Sequence, residues 1–334
     1  MKYLVTGGAG FIGSHLVRRL IADGHHVHVF DNLSSGFREY LPWKYGDEEF
    51  ESERFKFNCE DIQDLLFHAE LMEEAKFDGV FHVAGFARIQ PSIENPLECN
   101  DTNVIGTLMV LEFMKKLGIN NIVYSASSSS YGLKAKLPCT EDQPPDCLTP
   151  YAYSKYAGEL ACKAWGSTYG IRNACVKYFN VYGERSPEQG SYAPVIGLFF
   201  RQALLDSTDL TVVGDGEQKR DFTFIDDVVE ANLKAMEALQ TNPDNVSGLT
   251  FNVGCGKNYT INEVADMVLK TLQKDNLSKD LKVVHIPARI GESRETLASV
   301  ELAKKLLSWE PKVSLEEGIE KLKSYYINKF TNQY

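Results

Sequence analysis

No apolar run in the 334-residue chain approaches the ~18–20 residues needed to cross a bilayer. The short apolar opening, Tyr3 to Thr6, passes at once into glycines, so no secretory leader is expected. Cysteine is present without pattern. Cys59, Cys99, Cys139, Cys147, Cys162, Cys175 and Cys255 form an odd, scattered set with no CxxC spacing. That excludes a disulfide framework and a zinc site, and it fits a reducing compartment. Positive charge is in deficit, with 35 Lys and Arg against 46 Asp and Glu. A binder of nucleic acid without sequence preference needs a basic face to displace counterions, so that class is excluded, whereas a local basic pocket for a small anion is not. Low-complexity tracts and internal repeats are absent. The expectation is a cytoplasmic globular protein with no metal, no membrane contact and a core large enough to need no staples.

Short β-type runs alternate with helical patterns through the first half. Tyr3–Thr6, Val27–Phe30, Gly79–Ala84, Asn121–Ser125 and Asn173–Val181 are the apolar runs. This βαβ alternation predicts an α/β fold with a doubly wound parallel sheet of Rossmann type, whose ligands sit at the carboxyl ends of the strands. Residues 41–56 are charged and irregular and read as a surface insertion. Later, Leu210–Val213 and Lys282–Ile286 read as short strands, and Thr260 with Glu263 and Ser314 with Glu317 as capping boxes that start helices. Phe224–Leu239 and Leu249–Gly254 read as a helix and strand returning to the large sheet. The division expected is 1–180 with return segment 223–257 as one unit, and 181–222 with 258–334 as a smaller α/β unit.

Thr6-Gly7-Gly8-Ala9-Gly10-Phe11-Ile12-Gly13 follows the first strand and opens a helix. Glycines at 7, 10 and 13 suit a tight turn, close approach of backbone to a pyrophosphate, and close helix–strand packing. Free N–H groups at the helix start then face the anion. Asp31 follows Gly13 by eighteen residues at the end of the second strand, where a carboxylate accepts from a ribose diol and repels a 2′-phosphate. NAD is therefore favoured over NADP. Asp61-Ile62 flanks the adenine or is a plain loop.

Tyr151 and Lys155 stand four apart after Pro150, which puts them on one helix face. A phenol titrates near 10, and lowering it by ~3 units takes about 4 kcal/mol, which two nearby cations in a dry cleft can supply. A lone YxxxK pair on an exposed helix is the plainer reading. Tyr153 lies on another face. The run Ser125-Ala126-Ser127-Ser128-Ser129-Ser130-Tyr131-Gly132 ends a strand at the ligand edge, where a hydroxyl can reach both a substrate oxygen and the tyrosine.

Together these pieces resemble the extended short-chain dehydrogenase/reductase family in its nucleotide-sugar epimerase branch. The matching stretches are TGGAGFIG, DNLSSG, VFHVAG, NDTNVIGT, SASSSSYG, PYAYSKYAGE, YFNVYGERSPEQGSYAPVI, GDGEQKRDFTFIDDVVEA and PARIGES, spanning residue 2 to about 320. The resemblance implies Ser127, Tyr151 and Lys155 as the catalytic set. It implies an NAD site made of Gly7, Gly10, Phe11, Ile12, Gly13, Asp31, Asn32, Ser35, Gly36, Asp61, Ile62, Ala84, Asn103, Tyr151, Lys155 and Tyr178. For a UDP-sugar it implies Ser127, Ser128, Ser129, Tyr151, Asn180, Val195, Arg220, Arg289, Glu292 and Thr296. Among these, Arg220 and Arg289 would grip the diphosphate and Glu292 the ribose. Arg88 is a further candidate, as the cation that would read a C6 carboxylate.

Dehydratases of the family carry Asp-Glu where this chain has Ser128-Ser129, so the groups for water elimination are missing. The serine run and the segment after Tyr178 resemble the UDP-N-acetylglucosamine 4-epimerase group most. A bulky Tyr of glucose-restricted members is Thr296 here, which leaves room for a 2-acetamido group. The implied activity is C4 epimerisation of UDP-GlcNAc/UDP-GalNAc, and also of UDP-Glc/UDP-Gal, through a 4-keto sugar. Two other readings stand beside it: a UDP-glucuronate-type epimerase or decarboxylase, and an NAD-sensing binding protein without turnover. Residues 104–117 are apolar nearly all round, which together with the helix beginning at Tyr151 predicts a homodimer.

Overall fold

The computed structural model describes residues 1–42, 54–189, 193–277, 280–287 and 294–331. Its centre is a seven-stranded sheet. The strands are β1 (Lys2–Thr6), β2 (His26–Phe30), β3 (Phe55–Asn58), β4 (Gly79–His82), β5 (Asn121–Ser127), β6 (Arg172–Tyr178) and a last strand, Leu249–Val253. Their order across the sheet is Leu249–Val253, β6, β5, β4, β1, β2, β3. Every pairing is parallel.

The strands are largely buried because both faces are covered. All four residues of β4 and all seven of β5 are buried. Alternate residues feed two cores. Tyr3, Val5, Phe81, Val123 and Val176 pack with Leu16, Val17 and Leu20 of α1 (Phe11–Ala22) and with the helix Ile225–Thr241. Leu4, Val80, Ile122 and Tyr124 face the other way. They meet Val110, Leu111, Phe113 and Met114 of α4 (Gly106–Leu117) and Cys162 of α5 (Pro150–Tyr169). Each such large side chain contributes about 1.5–3 kcal/mol by leaving water.

Two further helices, α2 (Ile89–Glu94) and α3 (Pro96–Asn100), lie between β4 and α4. Outside the large sheet, Lys219–Asp221 pairs antiparallel with Asn258–Thr260, and Leu210–Val213 pairs parallel with Val283–Ile286. Both capping boxes form: Thr260 with Glu263 and Ser314 with Glu317.

Three sequence boundaries shift. β3 begins at Phe55, so the sheet claims the last residues of the segment 41–56; residues 43–53 lie outside the described residues. β4 stops at His82, because the Val83 and Ala84 N–H groups both turn to donate to the Thr6 carbonyl, at 3.2 and 3.0 Å. The run Asn173–Val181 divides into β6 and a two-residue strand, Val181–Tyr182, at Asn180, whose φ is +28°.

The strand order reverses between β1 and β4, and a crevice opens there at the carboxyl edge. Two glycines set its floor. Gly7 has φ +70°, and a Cβ on it would sit 2.5 Å from the Ala84 nitrogen. A Cβ on Gly13 would sit 2.0 Å from the Gly7 carbonyl oxygen. Replacing Gly13 by Ala therefore forces α1 off β1. The variant is expected to lose about 3 kcal/mol of stability by denaturant unfolding, and a loss under 0.5 kcal/mol would contradict this packing.

Candidate active site

The crevice floor is built to take an anion. Helix α1 starts at Gly10 with no side-chain cap and no acidic residue in its first turn, formed by Phe11, Ile12 and Gly13. Its first N–H groups are thus open to a ligand. Asp31, at the end of β2, is 7% exposed and accepts from the Ala9 N–H at 2.9 Å and the Leu33 N–H at 2.8 Å. Burial raises its pKa, and the two backbone bonds pull the other way. Each of its oxygens keeps a lone pair for a diol. Asn32 donates to Asp61 at 2.7 Å, and Asp61 also caps the turn beginning at Ile62. Gly36 lies against Ala9, where a Cβ would come within 2.7 Å of its carbonyl carbon; Ser35 beside it is exposed. The donor set, the closed floor and the acidic residue fit a dinucleotide with a free ribose diol.

Over the same edge stands α5. Thr149 caps it by accepting from the Ala152 N–H, and Pro150 fills the first position. Tyr151 and Lys155 share its inward face, while Tyr153 is 54% exposed. Lys155 is 7% exposed and donates to the Ser125 carbonyl at 2.9 Å. Burial pushes its pKa down to about 8. Ser127, at the end of β5, faces the Tyr151 side chain and lowers its pKa, shares a 2.9 Å bond with the Ser129 hydroxyl and caps the turn Ser128–Tyr131.

One expectation changes here. Burial holds the Tyr151 phenol above its ordinary value; only Ser127 lowers it, and Lys155 is not among the groups that shift it. The expected lowering by Lys155 is therefore absent from the protein's own groups.

Of the struts beneath this edge, sequence reasoning named Asn103 and Tyr178 as cofactor residues and missed His82 and Ser92. His82 is fully buried between the Thr6 and Thr107 hydroxyls, at 2.7 and 3.0 Å, and burial with Lys155 nearby pushes it down to about 3, so it stays neutral. Asn103 sits in a π-helical turn, Asp101–Ile105, and clamps Phe86 at both its N–H (2.7 Å) and its carbonyl (3.0 Å), while donating to Ser154. Ser92 on α2 accepts from the Tyr151 N–H at 3.1 Å. Tyr178 ends β6 between Ser125 and Asn232, and burial pushes its phenol up to about 12.

On the far side, Asn180 donates to the Asp221 carbonyl at 2.8 Å and to the Thr296 hydroxyl at 3.2 Å. That hydroxyl also accepts from the Asp221 N–H. Arg220 precedes Asp221 in the strand and donates to the Lys219 carbonyl. Val195 opens the helix Val195–Arg201. Arg289 and Glu292 lie outside the described residues. The residue that joins this group is Asp221. Its carboxylate is fully buried and accepts from Cys255, Gly256 and Ala298 N–H groups at 2.6, 3.0 and 3.0 Å. The signal was an acid directly after Arg220, leading into Phe222.

With no cation paired to it among the described residues, the Asp221 carboxyl is pushed up to about 6 by burial. A folded value above the unfolded one means that the folded state holds the proton more tightly. The contribution to stability is full at low pH and falls as pH rises through about 6. Asp221→Asn should therefore cost more stability at pH 4.5 than at pH 7.5, the gap narrowing by about 2–3 kcal/mol. Denaturant melts of both proteins at the two pH values measure it, and a constant gap would refute it.

Comparison with known proteins agrees with this geometry. A family described as GDP-mannose 4,6 dehydratase matches residues 4–322. The UDP-glucose 4-epimerase of Mycolicibacterium smegmatis is 35% identical over 330 residues, covering 98% of this chain and 99% of its own. The crystal structure of UDP-glucose 4-epimerase from Thermotoga maritima with UDP-glucose superposes with a TM-score of 0.87 at 35% identity, over 98% and 99% of the two chains. The Thermus thermophilus UDP-glucose 4-epimerase in complex with NAD gives 0.83 at 31% identity, again over 98% and 99%. The seven parallel strands, the glycine floor and the Tyr151–Lys155 face therefore belong to a member of the GDP-mannose 4,6 dehydratase family, the nucleotide-sugar epimerases and dehydratases built on the short-chain dehydrogenase/reductase frame.

Proposed function

We propose that the chain interconverts UDP-hexoses epimeric at C4, with NAD held in the crevice between β1 and β4. The observation that carries this reading is the meeting of three groups at one strand edge: the Tyr151 phenol faced by Ser127, and the Lys155 ammonium one helical turn away. Bound NAD supplies a reversible acceptor for the C4 hydrogen and its electron pair, and the positive ring that the phenolate needs.

The chain's own groups do the rest. Tyr151 takes the proton of the 4-hydroxyl and later returns it. Ser127, held by Ser129, donates to the same oxygen as it becomes a carbonyl. Lys155 is dry and fixed on the Ser125 carbonyl, and it keeps the local field positive. Arg220 and Arg289 hold the diphosphate, and Glu292 holds the ribose, while the 4-keto sugar turns over. Binding strength is thus placed away from the reacting carbon. Residues 1–180 with 223–257 would form the NAD unit, and 181–222 with 258–334 the sugar-nucleotide unit.

Neutral Ser128 and Ser129 in place of an acid pair favour epimerisation over dehydration. The intact Ser127, Tyr151 and Lys155 set favours turnover over mere sensing of NAD. Thr296 occupies little space beside Asn180, which supports acceptance of acetamido sugars. Leu97, Ile105, Tyr153 and Leu160 are exposed on and beside α3, α4 and α5, which supports a homodimer through these helices. No helix among the described residues is long and apolar enough to cross a membrane, and the proposed setting is the cytoplasm.

The purified protein, given UDP-GlcNAc or UDP-Glc without added NAD, should form the 4-epimer by chromatography; no epimer from any UDP-sugar, even with NAD added, would end this reading. Tyr151→Phe should lower kcat by about a thousandfold or more and leave UDP affinity within about threefold by calorimetry. Thr296→Tyr should lower kcat/KM for UDP-GlcNAc about tenfold more than for UDP-Glc. Equal losses on the two sugars would remove Thr296 as the determinant.

A further inference from the structure

Lys177 and Glu159 are buried charges that take no part in the reading above. Lys177 on β6 is 4% exposed and Glu159 on α5 is 3% exposed. The Lys177 ammonium lies 3.3 Å from one Glu159 oxygen. The other oxygen accepts from Lys163 at 2.9 Å and from Thr250, in the last strand, at 2.7 Å. Burial raises the Glu159 pKa, but Lys177, Thr250 and Lys163 more than reverse it, so the carboxyl stays below its ordinary value.

This pair stands where two elements of the site meet. Tyr151 and Lys155 lie on α5, and Glu159 is one turn beyond Lys155. Ser127 ends β5, and Lys177 is the β6 partner of Ala126, the residue before it. The Lys177 ammonium also lies 4.5 Å from the centre of the Tyr131 ring. Tyr131 closes the turn that Ser127 caps, and its hydroxyl donates to Asn252 at 2.7 Å. One side chain thus touches both the helix that carries the phenol and the turn that carries the hydroxyl.

Stability is a poor account of the pair. Two charges taken out of water regain little more by attraction than they lose, and apolar side chains of the same size often hold a core as well. An ion pair adds a fixed reach, and Glu159 is anchored from β6, the last strand and its own helix. The Ser127 and Tyr151 oxygens must both come within hydrogen-bond reach of one substrate oxygen, and a misplacement of about 1 Å costs about a hundredfold in rate.

We propose that Lys177 is a positioning residue: paired with Glu159 and seated against Tyr131, it sets the spacing between Ser127 and Tyr151. This rests on the roles given above to those two residues.

Three variants test it in the NAD-bound protein. Lys177→Met/Glu159→Gln removes one charge of each sign, which keeps the net charge and leaves neither partner as a lone buried ion. Glu159→Asp keeps both charges and draws the pair in by one methylene, and it decides the matter where the double variant does not fold. Lys177→Arg can still pair and stack. With UDP-glucose or UDP-GlcNAc, kcat should fall at least about tenfold in the double variant and about threefold in Glu159→Asp, with KM within about twofold. Lys177→Arg should keep most of the parent rate. NAD content should be unchanged in all three. The phenol gives a second readout that needs no turnover. Ser127 lowers the Tyr151 pKa, so a wider gap should raise its midpoint. A 13C-tyrosine NMR titration, with the signal assigned by Tyr151→Phe, should show a rise of about half a pH unit or more in the double variant. The other titratable neighbours, Cys99 on α3, Tyr124 on β5 and Lys155 on α5, are unaltered in these variants.

Full kcat in the double variant and in Glu159→Asp would overturn the proposal, as would an unmoved titration. So would a loss of kcat matched by lost NAD and a falling Tm, which would make the pair a support of the fold alone. A titration that moves, in a protein whose parent turns over no UDP-sugar, would strike the epimerase reading and leave the spacing role standing.

Discussion

A single ammonium deprived of water constrains the site. Lys155 sits 7% exposed and, among the described residues, has one hydrogen bond, to the Ser125 carbonyl, and no carboxylate paired with it. An unpaired buried charge is costly, and the protein tolerates it only because rigid neighbours leave it no other conformation. His82, kept neutral by its burial and then by that nearby charge, serves two threonine hydroxyls as a spacer. Gly85 is another neighbour, since any side chain would crowd the ammonium. Tyr151 is a third: dry surroundings hold its phenol above the ordinary value.

The side of the crevice proposed to hold the substrate is organised around a second buried charge, of opposite sign. Asp221 gathers three backbone N–H groups from segments 34, 35 and 77 residues away in sequence. Its own backbone is bonded to Asn180 and Thr296. Residues proposed to touch the nucleotide are thereby referenced to one carboxylate. The two buried charges lie on opposite sides of the crevice in chain terms, one on α5 and one in the strand Lys219–Asp221.

Much of this was legible in the sequence because it is local. Glycine spacing after a strand, an acid at the end of the next, Tyr151 and Lys155 at one helical turn, and both capping boxes depend on residues close in the chain. The helix start at Thr149-Pro150 belongs to the same kind. What stayed hidden is long-range. Nothing near His82 announces Thr107, and nothing near Asp221 announces Ala298. The backbone of Arg88, at φ +83°, is held between the Asn103 clamp and the Ser92–Tyr151 bond, so no reading of neighbouring letters could reveal it. The ends of β4 and β6 moved for the same reason: Thr6 captured two N–H groups, and Asn180 broke the run in order to reach Asp221.

The clamp of Asn103 on Phe86 reads main chain only. It fixes the path of the loop after β4 whatever side chains the loop carries. The frame can therefore exchange the letters at 86–88 without disturbing the catalytic helix. Side chains on this loop can thus vary while the mount beneath them keeps its place.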